Sequence, residues 1–215
     1  MRNKTESKIS RIISLARVLP YFSMDNLSAA EKNRNYLKTL FSRYSKAGKI
    51  IRIKKGLYVA KDYIEESKKT GNFSAYLEFL AHIMRQPSYL SMDYILYNYN
   101  ILTEVPASYT IVTKKKTANF FNEFGNFLYH SIRKDLFCGF KETRHGKLIV
   151  FKATKAKAFF DFLYFRKNSL VNEESVKELR LNLGEFNKAD KKELEGYIKL
   201  EGSGKMKQIF NHLFT

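Results

Sequence analysis

The sequence predicts an α+β protein: a basic N-terminal domain of helices and a hairpin, followed by a mixed α+β domain with a helical C-terminal tail. Two observations lead to this prediction. Helical spacing of apolar residues gives way to two short strand-like runs before residue 60, and the same change recurs after residue 73. A charged, turn-rich stretch lies between the two patterns. We therefore assign residues 1–62 to the first domain, 63–72 to a linker and 73–215 to the second. The stretch between the domains could also be the end of a connecting helix.

The N-terminal domain is expected to contain three helices and a hairpin. The first helix ends at Pro20, and Ser23 is a suitable N-cap for a short second helix over residues 24–29. A third helix is predicted from Asn33 to Ala47, and Gly48 favours its end. The apolar residues of the first helix recur at helical spacing: Ile9, Ile12, Ile13, Ala16 and Leu19.

The stretch from Ile50 to Val59 predicts a short strand, a basic turn and a second short strand. Gly56 can adopt the backbone conformation that such a turn requires. A polar-faced helix that runs into a basic two-stranded ribbon is typical of a winged helix-turn-helix. In that arrangement one element enters the major groove of DNA, and another contacts the neighbouring backbone. The N-terminal domain is therefore predicted to be a winged helix-turn-helix DNA-binding domain.

The predicted DNA-binding residues lie on the polar face of the third helix and on the hairpin. At 100° per residue, these helix positions fall opposite the apolar face of Leu37, Leu40, Phe41 and Tyr44. Asn pairs naturally with adenine, whereas Lys and Arg suit phosphates, which position a protein without reading sequence. The alternative is a solvated helix face beside a charged turn. The candidates are Asn35, Lys38, Thr39 and Ser42 for base edges or phosphates, and Lys46, Arg52, Lys54 and Lys55 for phosphates.

The formal net charge is +18, and the basic excess is concentrated near the N-terminus. Residues 1–62 carry 15 Lys/Arg against 4 Asp/Glu, residues 63–168 carry 16 against 9, and residues 169–215 carry 8 against 8. A polyanion is the natural partner, because each Lys or Arg placed against a phosphate releases condensed counterions. A basic bias across a whole proteome could account for the total charge, but it explains the asymmetry less well.

The second domain is predicted to alternate helices and strands. Gln86-Pro87 separates two helices, and Arg144-His145-Gly146 is a turn between two strands. The expected strands are 109–113, 127–132, 136–140 and 147–151, and the expected helices are 73–84, 91–99, 156–163, 176–183 and one around 209–213.

The sequence offers little support for catalysis. Its four histidines follow no metal-binding spacing, and no Gly-rich phosphate-binding motif occurs, so we expect no metal, no other cofactor and no enzymatic activity. Asp161 lies in an apolar helix, where structural pairing with an Arg or backbone amides is favoured over catalysis. The run Lys114-Lys115-Lys116 could extend a nucleic-acid surface or form a solvated loop.

The single cysteine, Cys138, cannot form an intramolecular disulfide, and it is expected to be a small buried hydrophobe in a reducing compartment. No apolar run approaches the roughly 18–20 residues that span a bilayer. We therefore expect a cytoplasmic protein without a membrane partner.

Several segments, in order, resemble the AbiEi family of antitoxins from type IV toxin–antitoxin systems. The likeness covers most of residues 20–168. The sequence departs from the family at Thr154-Lys155-Ala156, where a Pro-Glu commonly opens the helix. The matching segments are Tyr21-Phe22-Ser23, the helix from Leu37 to Gly48, Lys55-Gly56-Leu57-Tyr58, the stretch from Pro87 to Tyr94, Tyr109 to Thr113, the strands around Phe127 to Ile132 and Phe140, and Lys157 to Tyr164, which is similar to the family's EKALLDLLY.

The resemblance implies a repressor of its own operon that binds inverted repeats in double-stranded DNA, with possible self-association on that DNA. It also implies a second domain that counteracts a nucleotidyltransferase-like toxin without necessarily contacting it. Two alternatives remain open from the residues alone. One is a winged-helix regulator with a ligand- or protein-sensing C-terminal domain, and the other is a nucleic-acid-processing enzyme.

Overall fold

The computed structural model describes residues 8–214 and divides into two compact units, Met1–Leu77 and Glu78–Thr215. The chain is α+β, as predicted. In the first unit, the elements are the helix α1 (Lys8–Val18), the helix α2 (Arg34–Lys46), the strands β1 (Ile50–Lys54) and β2 (Leu57–Ala60), and the helix α3 (Lys61–Lys69). The helix α4 (Phe73–Ile83) crosses the division between the units.

The prediction of a short helix over residues 24–29 is wrong, because this stretch forms consecutive turns. Ser23 Oγ accepts the backbone N–H groups of Asp25 and Asn26, at 3.2 and 3.4 Å, as an N-cap would. The bonds that follow span three residues: Leu27 N–H donates to the Met24 carbonyl and Ala30 N–H to the Leu27 carbonyl. Such bonds make turns of the 3₁₀ kind rather than a helix.

The predicted linker over residues 63–72 lies largely within α3, and the two units divide after Leu77. Ile64 and Ser67 are buried, and α3 packs on α1 and β2 of its own unit. The charged residues of this stretch lie on the exposed face of an amphipathic helix. A charged sequence that suggests a linker can therefore form a helix.

The core of the first unit joins α1, the turns, α2 and the hairpin. Phe22 and Phe41 meet edge to face with ring centroids 5.4 Å apart, and Phe41 lies 4.8 Å from the Tyr58 ring. Burial of each such side chain stabilises the fold by about 1.5–3 kcal/mol. The buried residues of this core are Ile12, Ala16, Phe22, Leu27, Leu37, Leu40, Phe41, Ile50 and Ala60.

The second unit contains a six-stranded mixed sheet with strand order β5-β6-β4-β3-β8-β7. The pairs β4–β6 and β3–β8 are parallel, and the other neighbours are antiparallel. Alternate side chains face opposite ways, so the Tyr129 hydroxyl donates to the Ala81 carbonyl of α4 while His130 faces the other side. The strands are β3 (Ser88–Leu90), β4 (Tyr109–Thr113), β5 (Ala118–Asn122), β6 (Gly125–Ser131), β7 (Phe140–His145) and β8 (Leu148–Ala153).

The helices of the second unit connect and cover this sheet. The predicted helices 73–84 and 91–99 and the one starting near residue 156 are confirmed, as is the last helix. The predicted helix 176–183 is shorter and begins earlier. After α4 these helices are α5 (Met92–Asn98), α6 (Lys155–Arg166), α7 (Glu173–Lys177), α8 (Lys188–Glu201) and α9 (Gly204–Phe214).

Three of the four predicted strands are confirmed, and the strand predicted over residues 136–140 is wrong. A 3₁₀ turn covers Lys134–Leu136, and Cys138 N–H donates to the Leu136 carbonyl at 3.0 Å, which bends the chain. Leu136 is buried although it lies in this bend and not in a strand of the sheet. Cys138 itself is half-buried, and burial raises the pKa of its thiol.

Candidate nucleic-acid interface

The helix α2 begins and ends where its sequence provides caps. The Asn33 side chain accepts the N–H groups of Asn35 and Tyr36, each at 3.1 Å. At the other end, Gly48 takes a left-handed conformation with φ +65°, and Lys49 N–H reaches back to the Tyr44 carbonyl at 2.9 Å. The chain can therefore turn sharply from the helix into β1.

The two faces of α2 differ completely in exposure. Leu37, Leu40 and Phe41 are 1–3% exposed and pack into the core of the first unit. The predicted DNA-binding residues of the helix all lie on the opposite, exposed face: Asn35, Lys38, Thr39, Ser42 and Lys46. The helix thus presents one continuous polar face to the solvent.

The hairpin lies against α2 through β1 and ends in a two-residue turn, Lys55-Gly56. Arg52 pairs with Tyr58 and Lys54 with Leu57, with an irregularity between the two pairs. Gly56 has φ +81°, which glycine adopts without strain. Arg52 and Lys55 are exposed, and Lys54 is half-buried, so the hairpin presents basic side chains beside the helix.

A further segment pairs with this hairpin. Phe22 N–H donates to the Tyr58 carbonyl and Tyr58 N–H to the Phe22 carbonyl, both at 2.8 Å. The reciprocal bonds fix β2 to the chain that precedes the turns. The position of the hairpin is therefore set by backbone bonds as well as by its apolar contacts.

Most candidate side chains have unused hydrogen-bonding capacity. Among residues 8–214, the side chains of Asn35, Lys38, Ser42, Lys46 and Lys55 make no hydrogen bond or ion pair. Thr39 differs, because its hydroxyl donates to the Asn35 carbonyl at 3.1 Å. Arg52 also differs, since its Nε donates to the Lys54 carbonyl at 3.4 Å. Each of these side chains therefore makes one internal hydrogen bond, but Thr39 keeps its hydroxyl oxygen as an acceptor and Arg52 keeps its other N–H donors for a ligand.

The region is strongly cationic. Residues 32–55 contain nine Lys or Arg and no Asp or Glu, a sequence signal that also identifies basic residues missing from the predicted set. Arg43 and Lys49 are exposed, and their cationic groups lie 5.9 and 5.5 Å from the centre of the Tyr44 ring. Arg34 is ion-paired with Asp25 at 2.7 Å. The unbalanced positive charge favours an anionic ligand.

The second unit contains a buried polar cluster on α6. Lys157 Nζ donates to Asp161 Oδ1 at 2.7 Å, and both side chains are fully buried. The other oxygen of Asp161 accepts from Ser91 Oγ at 2.7 Å and from the Tyr89 hydroxyl at 3.0 Å. Asp161 is thus structurally paired, as predicted, although its partner is a lysine rather than an arginine. Burial raises the pKa of the Asp161 carboxyl, against the opposing effect of Lys157 and the hydroxyls.

An open cleft of about 1130 Å³ lies on the α6 side of the sheet. Phe162, Phe165 and Leu128 contribute apolar walls, and Arg166 forms an ion pair with Asp93 at 2.8 Å. The His130 ring also lines the cleft and makes no hydrogen bond within the described part of the chain. Burial lowers the pKa of His130, and Arg166 adds to that effect while Asp93 opposes it. The imidazole is therefore available to a small molecule as a neutral donor and acceptor.

The structure also shows where the predicted lysine run lies, and it bears on metal binding and membrane spans. Lys114, Lys115 and Lys116 are exposed after β4, with Lys114 Nζ 4.8 Å from the centre of the Phe137 ring. No group of three or more His, Cys, Asp or Glu side chains that could hold a metal ion occurs in the described residues. None of the helices described is both long and apolar enough to cross a membrane.

No protein-family model and no curated protein matches this chain.

Proposed function

We propose that the chain is a sequence-specific DNA-binding transcriptional repressor whose first unit is a winged helix-turn-helix. The observation that carries the proposal is the exposed face of α2, where the side chains of Asn35, Lys38, Ser42 and Lys46 make no hydrogen bond or ion pair among the described residues. This face lies within a segment free of acidic residues. Polar groups that the fold does not use are available for base edges, and the unbalanced charge suits phosphates.

In the proposed mode of binding, α2 enters the major groove with Asn35, Lys38 and Ser42 facing the bases. Lys46 and the hairpin residues Arg52, Lys54 and Lys55 contact phosphates of the flanking backbone. Thr39 contributes its hydroxyl oxygen as an acceptor, because its proton is already donated to the Asn35 carbonyl. The chain acts by binding rather than by catalysis.

We further propose that this repressor is the antitoxin of a type IV toxin–antitoxin pair and regulates its own operon. The support is the order of segments that resemble AbiEi antitoxins in both units. A neighbouring reading frame for a nucleotidyltransferase-like toxin is expected. Co-expression of this chain should relieve growth arrest by that toxin, and failure to relieve it would contradict the antitoxin role while leaving the DNA-binding role intact.

Footprinting the purified full chain on its own promoter tests DNA binding. We expect a protected site with inverted-repeat symmetry, and much weaker binding to a duplex of the same composition in scrambled order. Equal affinity for the two duplexes at every salt concentration would contradict sequence-specific binding.

The cleft of the second unit favours a second candidate function, a regulator that senses a small ligand. Its volume suits a small molecule, and the half-buried imidazole of His130 offers unsatisfied hydrogen bonds beside apolar walls. Genomic context separates the two: a metabolic operon next to the gene favours ligand sensing, and a toxin gene favours the antitoxin.

A further inference from the structure

The two edges of the six-stranded sheet have opposite chemistry. The edge strand β7 has the sequence Phe-Lys-Glu-Thr-Arg-His and so carries charged side chains along its length. The other edge strand, β5, has the sequence Ala-Asn-Phe-Phe-Asn, with no charge, proline or glycine. Charged edge strands resist pairing with another chain, whereas an uncharged one is open to it. Of the two edges of this sheet, β5 is the one that lacks such charges.

The strand β5 also exposes a large aromatic residue. Phe121 is 68% exposed, whereas its neighbour Phe120 packs against the Tyr129 ring at 5.5 Å on the α4 side of the sheet. Within the described residues, β5 pairs in the sheet with β6 alone. Every second residue of β5 therefore directs its backbone N–H and C=O away from the sheet, next to an exposed phenyl ring.

We propose that β5 is a self-association surface, on which the β5 strand of a second copy of this chain pairs antiparallel about a two-fold axis at Phe120. This pairing joins the two sheets into one continuous sheet and satisfies the free backbone groups of both strands. Phe121 of one copy then lies opposite Asn119 of the other. The two Phe121 rings become diagonal neighbours across the axis, within reach of each other.

The flanking charges favour a second copy over an unrelated strand. Lys114-Lys115-Lys116 precedes β5 and Glu123 follows it, and all four side chains are exposed. Antiparallel pairing sets the start of one β5 strand beside the end of the other, so the lysine run of each copy lies near Glu123 of the second copy. The two-fold axis repeats this contact at the other end of the strand. The strand and its flanking residues are thus complementary to a second copy in charge.

Sedimentation equilibrium of the full-length chain, from low to high micromolar concentration, tests the proposal. We expect a reversible dimer. Phe121→Lys should weaken the dimer by about tenfold or more, because it removes a ring that dimerisation would bury and places the two substituted lysines close together. The matched control is Val105→Lys, at a residue that is 74% exposed in the loop before β4, and it should leave the dimer unchanged.

A charge exchange gives a second, independent measurement. Lys116→Glu should weaken the dimer, and adding Glu123→Lys in the same chain should restore it, because each contact then has the opposite polarity. A chain that stays monomeric at every concentration overturns the proposal. So does a dimer that is insensitive to Phe121→Lys, since another surface must then hold it. Neither outcome bears on binding of a single DNA site, so this inference stands apart from the proposed function.

Discussion

The helices α2 and α6 both carry polar side chains amid apolar ones, but they use them in opposite ways. On α6, Lys157 and Asp161 are fully buried, and their charged groups are paired with each other and with two hydroxyls. On α2, the side chains of Asn35, Lys38 and Ser42 are exposed and have no partners within residues 8–214. Polar groups that a fold satisfies internally serve its stability, whereas those left open are available to another molecule.

The contrast has an energetic basis. Burying an ion costs several kcal/mol, which only a close counter-ion and further hydrogen bonds offset, so the α6 cluster must remain complete. The polar face of α2 stays in water and incurs no such cost. Substitutions should therefore distinguish the roles of the two helices. Those on α6 should lower the free energy of unfolding, and those on α2 and the hairpin should weaken the proposed DNA binding.

The largest expected effect is that of Lys157→Met. It leaves the Asp161 carboxylate buried without its counter-ion, which should lower the free energy of unfolding by about 3–5 kcal/mol. Urea unfolding followed by circular dichroism measures this loss. The control is Lys177→Met, which breaks an i,i+4 pair with Glu173 that lies on the surface, and its unfolding midpoint should match the parent. Equal midpoints for both variants would contradict the structural role of the cluster.

Asn35→Ala should have the next largest effect, and on binding alone. It is expected to relax discrimination at one base pair by about 1–3 kcal/mol, because the amide that we propose to pair with a base edge is lost. Binding to the operator and to its single-base variants by fluorescence anisotropy measures this change. Asn168→Ala, at an exposed position in the second unit, is the control. Unchanged discrimination at every position would remove Asn35 from the set that reads bases.

Lys54→Ala with Lys55→Ala should weaken binding to all sequences by a similar factor. Loss of two phosphate contacts should reduce the slope of log affinity against log salt by about two at most. The matched control is Lys68→Ala with Lys69→Ala, which changes a lysine pair at the end of α3 in the same unit. If the control flattens the salt dependence as much as the hairpin variant does, the hairpin has no special part in binding.

The smallest expected effect concerns a third buried polar group, His82. Its Nδ1 lies 3.0 Å from the Ser88 carbonyl, and its Nε2 lies 3.0 Å from the Gln86 amide nitrogen, so the ring is a neutral donor and acceptor. Burial lowers the pKa of His82 despite the opposing bond to Ser88.

The sign of the pH dependence follows from that lowered pKa. Above about pH 6.5, the ring is neutral in both folded and unfolded states, and its contribution to stability is complete. Below that pH the unfolded chain takes up a proton first, so stability falls until the folded ring also titrates. Urea unfolding at several pH values should show a shallower decline for His82→Gln than for the parent or for His145→Gln. Identical slopes would rule out this contribution.

The sequence predicts best where periodicity and end signals coincide. For α2, apolar residues at helical spacing, the Asn33 cap and Gly48 all agree, and the hairpin follows from short β-rich runs around Gly56. The strand β5 and the helix α8 escaped prediction because neither has a strong apolar pattern. The strand is an edge with few buried positions, and the helix is charged along most of its exposed surface.

The buried cluster and the cleft show a further limit. Lys157 precedes Asp161 by four residues, so their proximity on a helix could be predicted, but lysine is almost never fully buried and its environment could not. The cleft brings together residues from α5, β4, β6, α6 and two loops, several of which are distant in the chain. Only the tertiary fold places such residues side by side.

One triple variant, measured for both DNA binding and stability, tests whether the exposed face of α2 binds DNA. Lys38→Ala, Ser42→Ala and Lys46→Ala, combined in the full chain, should greatly weaken operator binding while changing the free energy of unfolding by no more than about 0.5 kcal/mol per substitution. Such a result identifies the exposed face of α2 as a surface kept for DNA. Undiminished binding to the operator by this variant would contradict DNA binding through this face of α2.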